Sequence, residues 1–126
     1  MSPSELDSLA SELTDVIDSV AEAFGAEAER TVNGELDCDP TQPGNLLCWQ
    51  YGVRMENAGE PERRLAEVVL PTLTERGWQA HDRSTPRELI ARFSREGADF
   101  TVHVARASHA VAIIGSTRPV PAAAAG

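Results

Sequence analysis

The apolar residues of this chain change period partway along, and that change sets its fold class. Leu6, Leu9, Leu13, Val16, Ile17, Val20 and Phe24 recur at spacings of three and four, as in a helix with one buried face. Phe100, Val102 and Val104 alternate with Thr101, His103 and Ala105, as in a half-buried strand. A chain that does both must pack helices on a sheet.

The first pattern predicts a helix over 3–24. Ser2 can cap it, Pro3 takes the first helical position and Glu5 completes a capping box. Gly25 loosens or ends the helix, although Ala26 to Arg30 can continue it. Residues 31–46 read as an irregular cysteine loop: Asn33-Gly34 signals a tight turn, and Pro40, Pro43, Gly44 and Asn45 resist regular structure. Leu47, Trp49, Tyr51, Val53 and Met55 then alternate with polar or small residues, a strand with its aromatic face inward. Asn57-Ala58-Gly59 ends it.

A second helix is predicted from Pro61 to Gly77, with Leu65, Val69 and Leu73 as its stripe and Ala66 and Leu70 beside it. Pro71 lacks an N–H and predicts a kink or break. Four strands follow, Trp78–Arg83, Glu88–Arg95, Phe100–Arg106 and Ala110–Thr117, the last three forming an antiparallel meander through short turns. Pro119 to Gly126 reads as a disordered tail. The expectation is an α+β two-layer sandwich, α-β-α-β-β-β-β, with helices on one face of a mainly antiparallel sheet. It occupies 1–118 as one domain, since 126 residues support a single core.

Charge narrows the partners. Residues 1–40 carry eleven acids against Arg30 alone, and the formal net charge of the chain is −9. That argues against binding nucleic acid or anionic membrane, both of which demand positive charge. All 11 basic residues are arginine, which with the many alanines points to a GC-rich bacterial gene. The N-terminus has no positive n-region or continuous apolar h-region, and no stretch is apolar enough to insert into a membrane.

Cys38 and Cys48 are the only cysteines. As zinc ligands they fail on count, because a structural site needs four, and His81, His103 and His109 lie in distant segments. Their spacing is not the C-x-x-C of a redox couple. Two readings stay open: a pair of buried thiols, or a disulfide closing about 11 residues and worth roughly 2.8 kcal/mol in the chain-entropy model. The disulfide is the reading adopted, and it places the domain in an oxidising compartment, secreted or in the cell envelope. Free thiols would place it in the cytoplasm.

No catalytic motif is visible, so a non-enzymatic domain without cofactor or metal is expected. Ser108-His109 does not make a nucleophile and base, because neighbouring strand residues point to opposite faces. His103 and His109 flank a tight turn without a carboxylate to complete a metal site. The sharper candidate is the open sheet face. If Trp49, Tyr51, Phe93 and Phe100 face the helices, the other side collects Gln50, Arg54, Arg92, Ser94, Thr101 and His103, joined by His81 and Arg83. This would be a polar, locally positive surface able to hold an anion, an acidic segment of a protein partner, or the chain's own acidic N-terminal region.

The order of landmarks resembles the mature part of small exported lipoproteins of unknown function from high-GC Gram-positive bacteria. The matching pieces are Cys38, Cys48-Trp49-Gln50-Tyr51-Gly52, Gly77-Trp78 and Gly115-Ser116-Thr117-Arg118-Pro119. The resemblance implies export and supplies no catalytic residue. The reading is therefore an exported or envelope-associated binding domain. The alternative is a cytosolic acidic inhibitor, immunity- or antitoxin-like, that uses its N-terminal acids against a basic protein.

Overall fold

The computed structural model describes residues 5–25, 27–38, 41, 45–56 and 58–121, and in it the change of period becomes a change of layer. Helix α1 (Glu5–Phe24) buries Leu6, Ala10, Leu13, Ile17, Val20, Ala21 and Phe24. Gly25 ends it at φ 71°, a left-handed conformation that glycine adopts at little cost. The chain does not continue as helix, because it is already extended at Ala28. The expected cap at Ser2 and Pro3 lies outside the described residues.

Helix α2 is built of three consecutive pieces: α-helical Pro61–Arg64, π-helical Leu65–Val69 and α-helical Leu70–Glu75. The interruption expected at Pro71 falls just before it, as a widened turn rather than a break. Proline has no N–H to donate, and its ring crowds the carbonyl four residues back. In the π turn the Leu70 amide donates to the Leu65 carbonyl, five residues back, which absorbs the misfit and keeps the helix continuous. Leu65, Val69 and Leu73 are buried as the stripe predicts. Leu70 and Val68 stay 37% and 45% exposed.

The strands are β1 (Ala28–Asp37), β2 (Leu46–Met55), β3 (Gln79–Asp82), β4 (Glu88–Arg95), β5 (Ala98–Ala105), β6 (Val111–Ser116) and β7 (Val120–Pro121). They form one antiparallel sheet in the order β1-β2-β6-β5-β4-β3, with β7 also paired to β2. The α+β sandwich and the meander are as expected.

Two strands correct the expectation. The segment read as an irregular loop is largely β1, and Asn33 and Gly34 sit inside it opposite Tyr51 and Gln50 rather than forming a turn. Val32, Gly34 and Leu36 alternate with exposed Asn33, Glu35 and Asp37, but a two-apolar alternation is too faint to outweigh a local turn signal. The ladder to β2 supplies what the side chains do not. Likewise Val120 and Pro121 pair with Leu47 and Leu46 instead of belonging to a free tail, and Val120 is fully buried. Thr117 prepares this pairing: its hydroxyl accepts the Trp49 amide at 2.9 Å, and its own amide donates to the Trp49 carbonyl at 3.0 Å. Arg118 also pairs with Glu5 in the first turn of α1. Residues 122–126 lie outside the described ones.

The core fills the space between the helices and one sheet face. Phe100 stacks on Phe93 at 5.3 Å between centroids and meets Trp78 edge-on at 5.0 Å. Gly115 lies opposite Phe100 on β6. A Cβ there would come within 2.6 Å of the Asp99 carbonyl oxygen, so the close approach of β6 to β5 requires glycine.

Candidate functional site

Cys38 and Cys48 are bonded, with their Cα atoms 5.8 Å apart, a separation ordinary for disulfides. Cys38 follows β1, and its amide donates to the Leu46 carbonyl at 2.9 Å. Cys48 sits on β2 opposite Leu36. The bond thus staples two paired strands at the loop end of their hairpin, rather than tying an irregular loop to a single strand.

Strand register settles which polar residues share the open face. Arg54, Ala112, His103 and Ile90 form one row across β2, β6, β5 and β4. Ile114, Thr101, Arg92 and His81 form the next across β6, β5, β4 and β3. Gln50, Ser116, Asp99 and Ser94 form a third. All of the sequence-predicted surface residues, Gln50, Arg54, Arg92, Thr101 and His103, therefore lie on the side away from the helices.

The expected positive charge is largely offset. Arg92 Nη2 lies 3.1 Å from Asp99 Oδ2, Arg54 Nη2 3.4 Å from Glu56 Oε1, and His103 Nδ1 3.6 Å from Glu88 Oε2. Alternation reveals which residues share a face, but pairing a cation with a neighbouring strand's acid requires the register. Missed as well was the apolar centre: Val32, Gly52 and Ile114 sit side by side across β1, β2 and β6, and Ile114 is 38% exposed. Its signal was the unbroken run Val111 to Ile114, where strict alternation would have placed a polar residue.

At the β1 edge, on the helix side, the Trp49 indole N–H donates to Asn33 Oδ1 at 2.8 Å. The Tyr51 hydroxyl donates to Asp18 Oδ1 at 2.6 Å, and the Arg30 guanidinium lies 5.6 Å from the centre of its ring. Burial and the bond to Asp18 push the Tyr51 phenol above its ordinary value of 10.0, against the opposing pull of Arg30. A phenol raised on folding keeps its proton where the unfolded chain has lost it. Its contribution to stability is complete below pH 10 and is lost as pH rises through the folded value. Tyr51 is the only tyrosine, so an ultraviolet phenolate titration reads it alone. A midpoint above 10 is expected for folded protein and one near 10 in denaturant, while equal midpoints would show that neither burial nor the Asp18 contact acts on the phenol.

Among the described residues, no three His, Cys, Asp or Glu side chains converge as metal ligands would. His109 is exposed in the turn after β5 at φ 60°. None of the described helices is long and apolar enough to cross a membrane. No protein-family model, curated protein or solved structure matches the chain.

Proposed function

We propose that this is a non-enzymatic binding domain, working outside the cytoplasm, whose open sheet face meets a protein partner. The observation that carries the reading is the layout of that face. Val32, Gly52, Ala112 and Ile114 make an apolar centre, and the pairs Arg54–Glu56, Arg92–Asp99 and His103–Glu88 lie around it. A desolvated centre with a polar rim is the usual anatomy of protein interfaces. Exposed ion pairs contribute only about 0–1 kcal/mol each to the fold, so they are free to exchange partners at small cost. Gln50 and Thr101 add neutral hydrogen-bonding groups beside the centre. The Cys38–Cys48 bond supports the oxidising compartment.

Ile114→Asp, and separately Arg54→Glu combined with Arg92→Glu, should weaken partner binding by about tenfold or more, with far-UV circular dichroism unchanged. Normal binding by both variants would sink this reading. A second reading has one observation in its favour: α1 exposes Glu5, Asp7, Glu12, Asp15, Asp18 and Glu22 and contains no basic residue. It makes the domain an acidic inhibitor of a basic protein in the cytoplasm. Loss of the partner with Glu12→Arg plus Glu22→Arg, while the open-face variants still bind, would put that reading first.

A further inference from the structure

Strand β3 closes one edge of the sheet, and all four of its residues are exposed. Its hydrogen-bonding groups alternate in direction. The Arg83 amide donates inward to the Ile90 carbonyl at 2.9 Å, and antiparallel pairing gives Gln79 and His81 the same inward orientation. The backbone N–H and C=O of Ala80 and Asp82 therefore face away from β4. No described strand pairs with them.

An apolar socket of about 310 Å³ opens beside this edge, between α2 and the sheet. Leu65, Ala66 and Leu70 of α2, Ala80 of β3, and Leu89 and Ala91 of β4 line it, with Asp82 as the one charged residue in its lining. The side chains of Ala80 and Asp82 lie on the helix side, because these residues pair with Phe93 and Ala91. A strand added along β3 would place the residues opposite them on that side too, over the socket. The π turn contributes as well, since Leu70 directly follows it and remains 37% exposed at the socket's rim.

We propose that the outer edge of β3 and this socket bind an extended segment of a partner protein, carrying an apolar side chain and, two residues along, a lysine or arginine. Main-chain hydrogen bonds to Ala80 and Asp82 supply the pairing, and the socket takes the apolar side chain. Asp82 selects the cation. The Ser84 hydroxyl and amide, aided by the charge of Arg106, hold its carboxyl below the ordinary 3.8, so it is ionised at neutral pH.

A second copy of this chain fits less well. Paired about a two-fold axis at His81, two β3 strands would set Asp82 against the partner copy's Ala80, and about an axis at Asp82 they would set two acids together, so neither register brings Asp82 a basic residue across the pairing. The surface is separate from the open sheet face, and the two can be tested independently.

The test is selection from a random library of displayed peptides about ten residues long, on the full oxidised chain, followed by fluorescence polarisation with the enriched sequences. Enriched peptides should share an apolar residue and a lysine or arginine two positions apart. Ala80→Pro, which removes an outward N–H at an edge where proline is tolerated, and Leu70→Glu should each weaken them by at least about tenfold. Asp82→Lys should shift preference to the same peptides with glutamate in place of the cation. Enrichment no greater than on Ala80→Pro, or affinities unmoved by Leu70→Glu, would overturn the assignment. So would a concentration-dependent dimer that Leu70→Glu disperses, which would give the edge to a second copy.

Discussion

Phe100→Ala should destabilise the fold by about 3–5 kcal/mol, the range for deleting a fully buried aromatic side chain. The cavity would open where three layers of contact meet. Phe93 would lose its stacking partner and Trp78 its edge contact, while Gly115 opposite has no side chain to fill the gap. The strands cannot collapse inward, because β6 and β5 are already at backbone contact there. Urea unfolding followed by tryptophan fluorescence reads the change, with the midpoint falling and the folded baseline altered by the freed Trp78. A loss below about 1 kcal/mol would mean that the site relaxes freely and that Phe100 is not the keystone of the packing.

Opening the Cys38–Cys48 bond is expected to cost about 3 kcal/mol, mostly through the entropy returned to an unfolded chain no longer closed across a separation of 10. In the folded state the effect concentrates where β1 and β2 begin to pair. There the last β1–β2 pair, the Cys38 amide bond to Leu46 and the short β7 pairing would hold the hairpin end without the covalent link. Denaturation of Cys38→Ala/Cys48→Ala beside the oxidised protein measures the difference, alanine being preferred at Cys48 because that position is buried. Equal midpoints would contradict the staple. The bond's biological meaning has its own measurement: intact mass after alkylation of protein from the native host. Two alkyl groups added only after reduction would establish the bond in the cell, and two added without reductant would defeat the extracytoplasmic reading.

Most of the fold was legible because the decisive elements bury a face of their own. Leu13, Ile17 and Val20 announce α1, and Phe100, Val102 and Val104 announce β5, each by a periodicity that solvent enforces. Glycine marked the helix ends correctly, at φ 71° for Gly25 and 89° for Gly77. β1 and β7 were not legible, since both exist chiefly through their pairing with β2. Asn33-Gly34 is a turn in most contexts, and only the presence of Tyr51 and Gln50 opposite makes it strand. At the candidate site the shared face was readable, and so was Glu56 two residues along from Arg54, whereas Asp99 and Glu88 reach Arg92 and His103 only through the register. The β3 edge and its socket were hidden for a related reason. They depend on which strand ends the sheet and on a helix that packs one residue out of phase after its π turn.

The ion pair between Glu5 and Arg118 has an architectural corollary. It ties the start of the first helix to the residues that lead into the last strand, so the two ends of the described fold are joined directly and not only through the core. Fraying at one end therefore loosens the other: unpairing β7 would release a contact of the first turn of α1, and unwinding that turn would release the lead into β7.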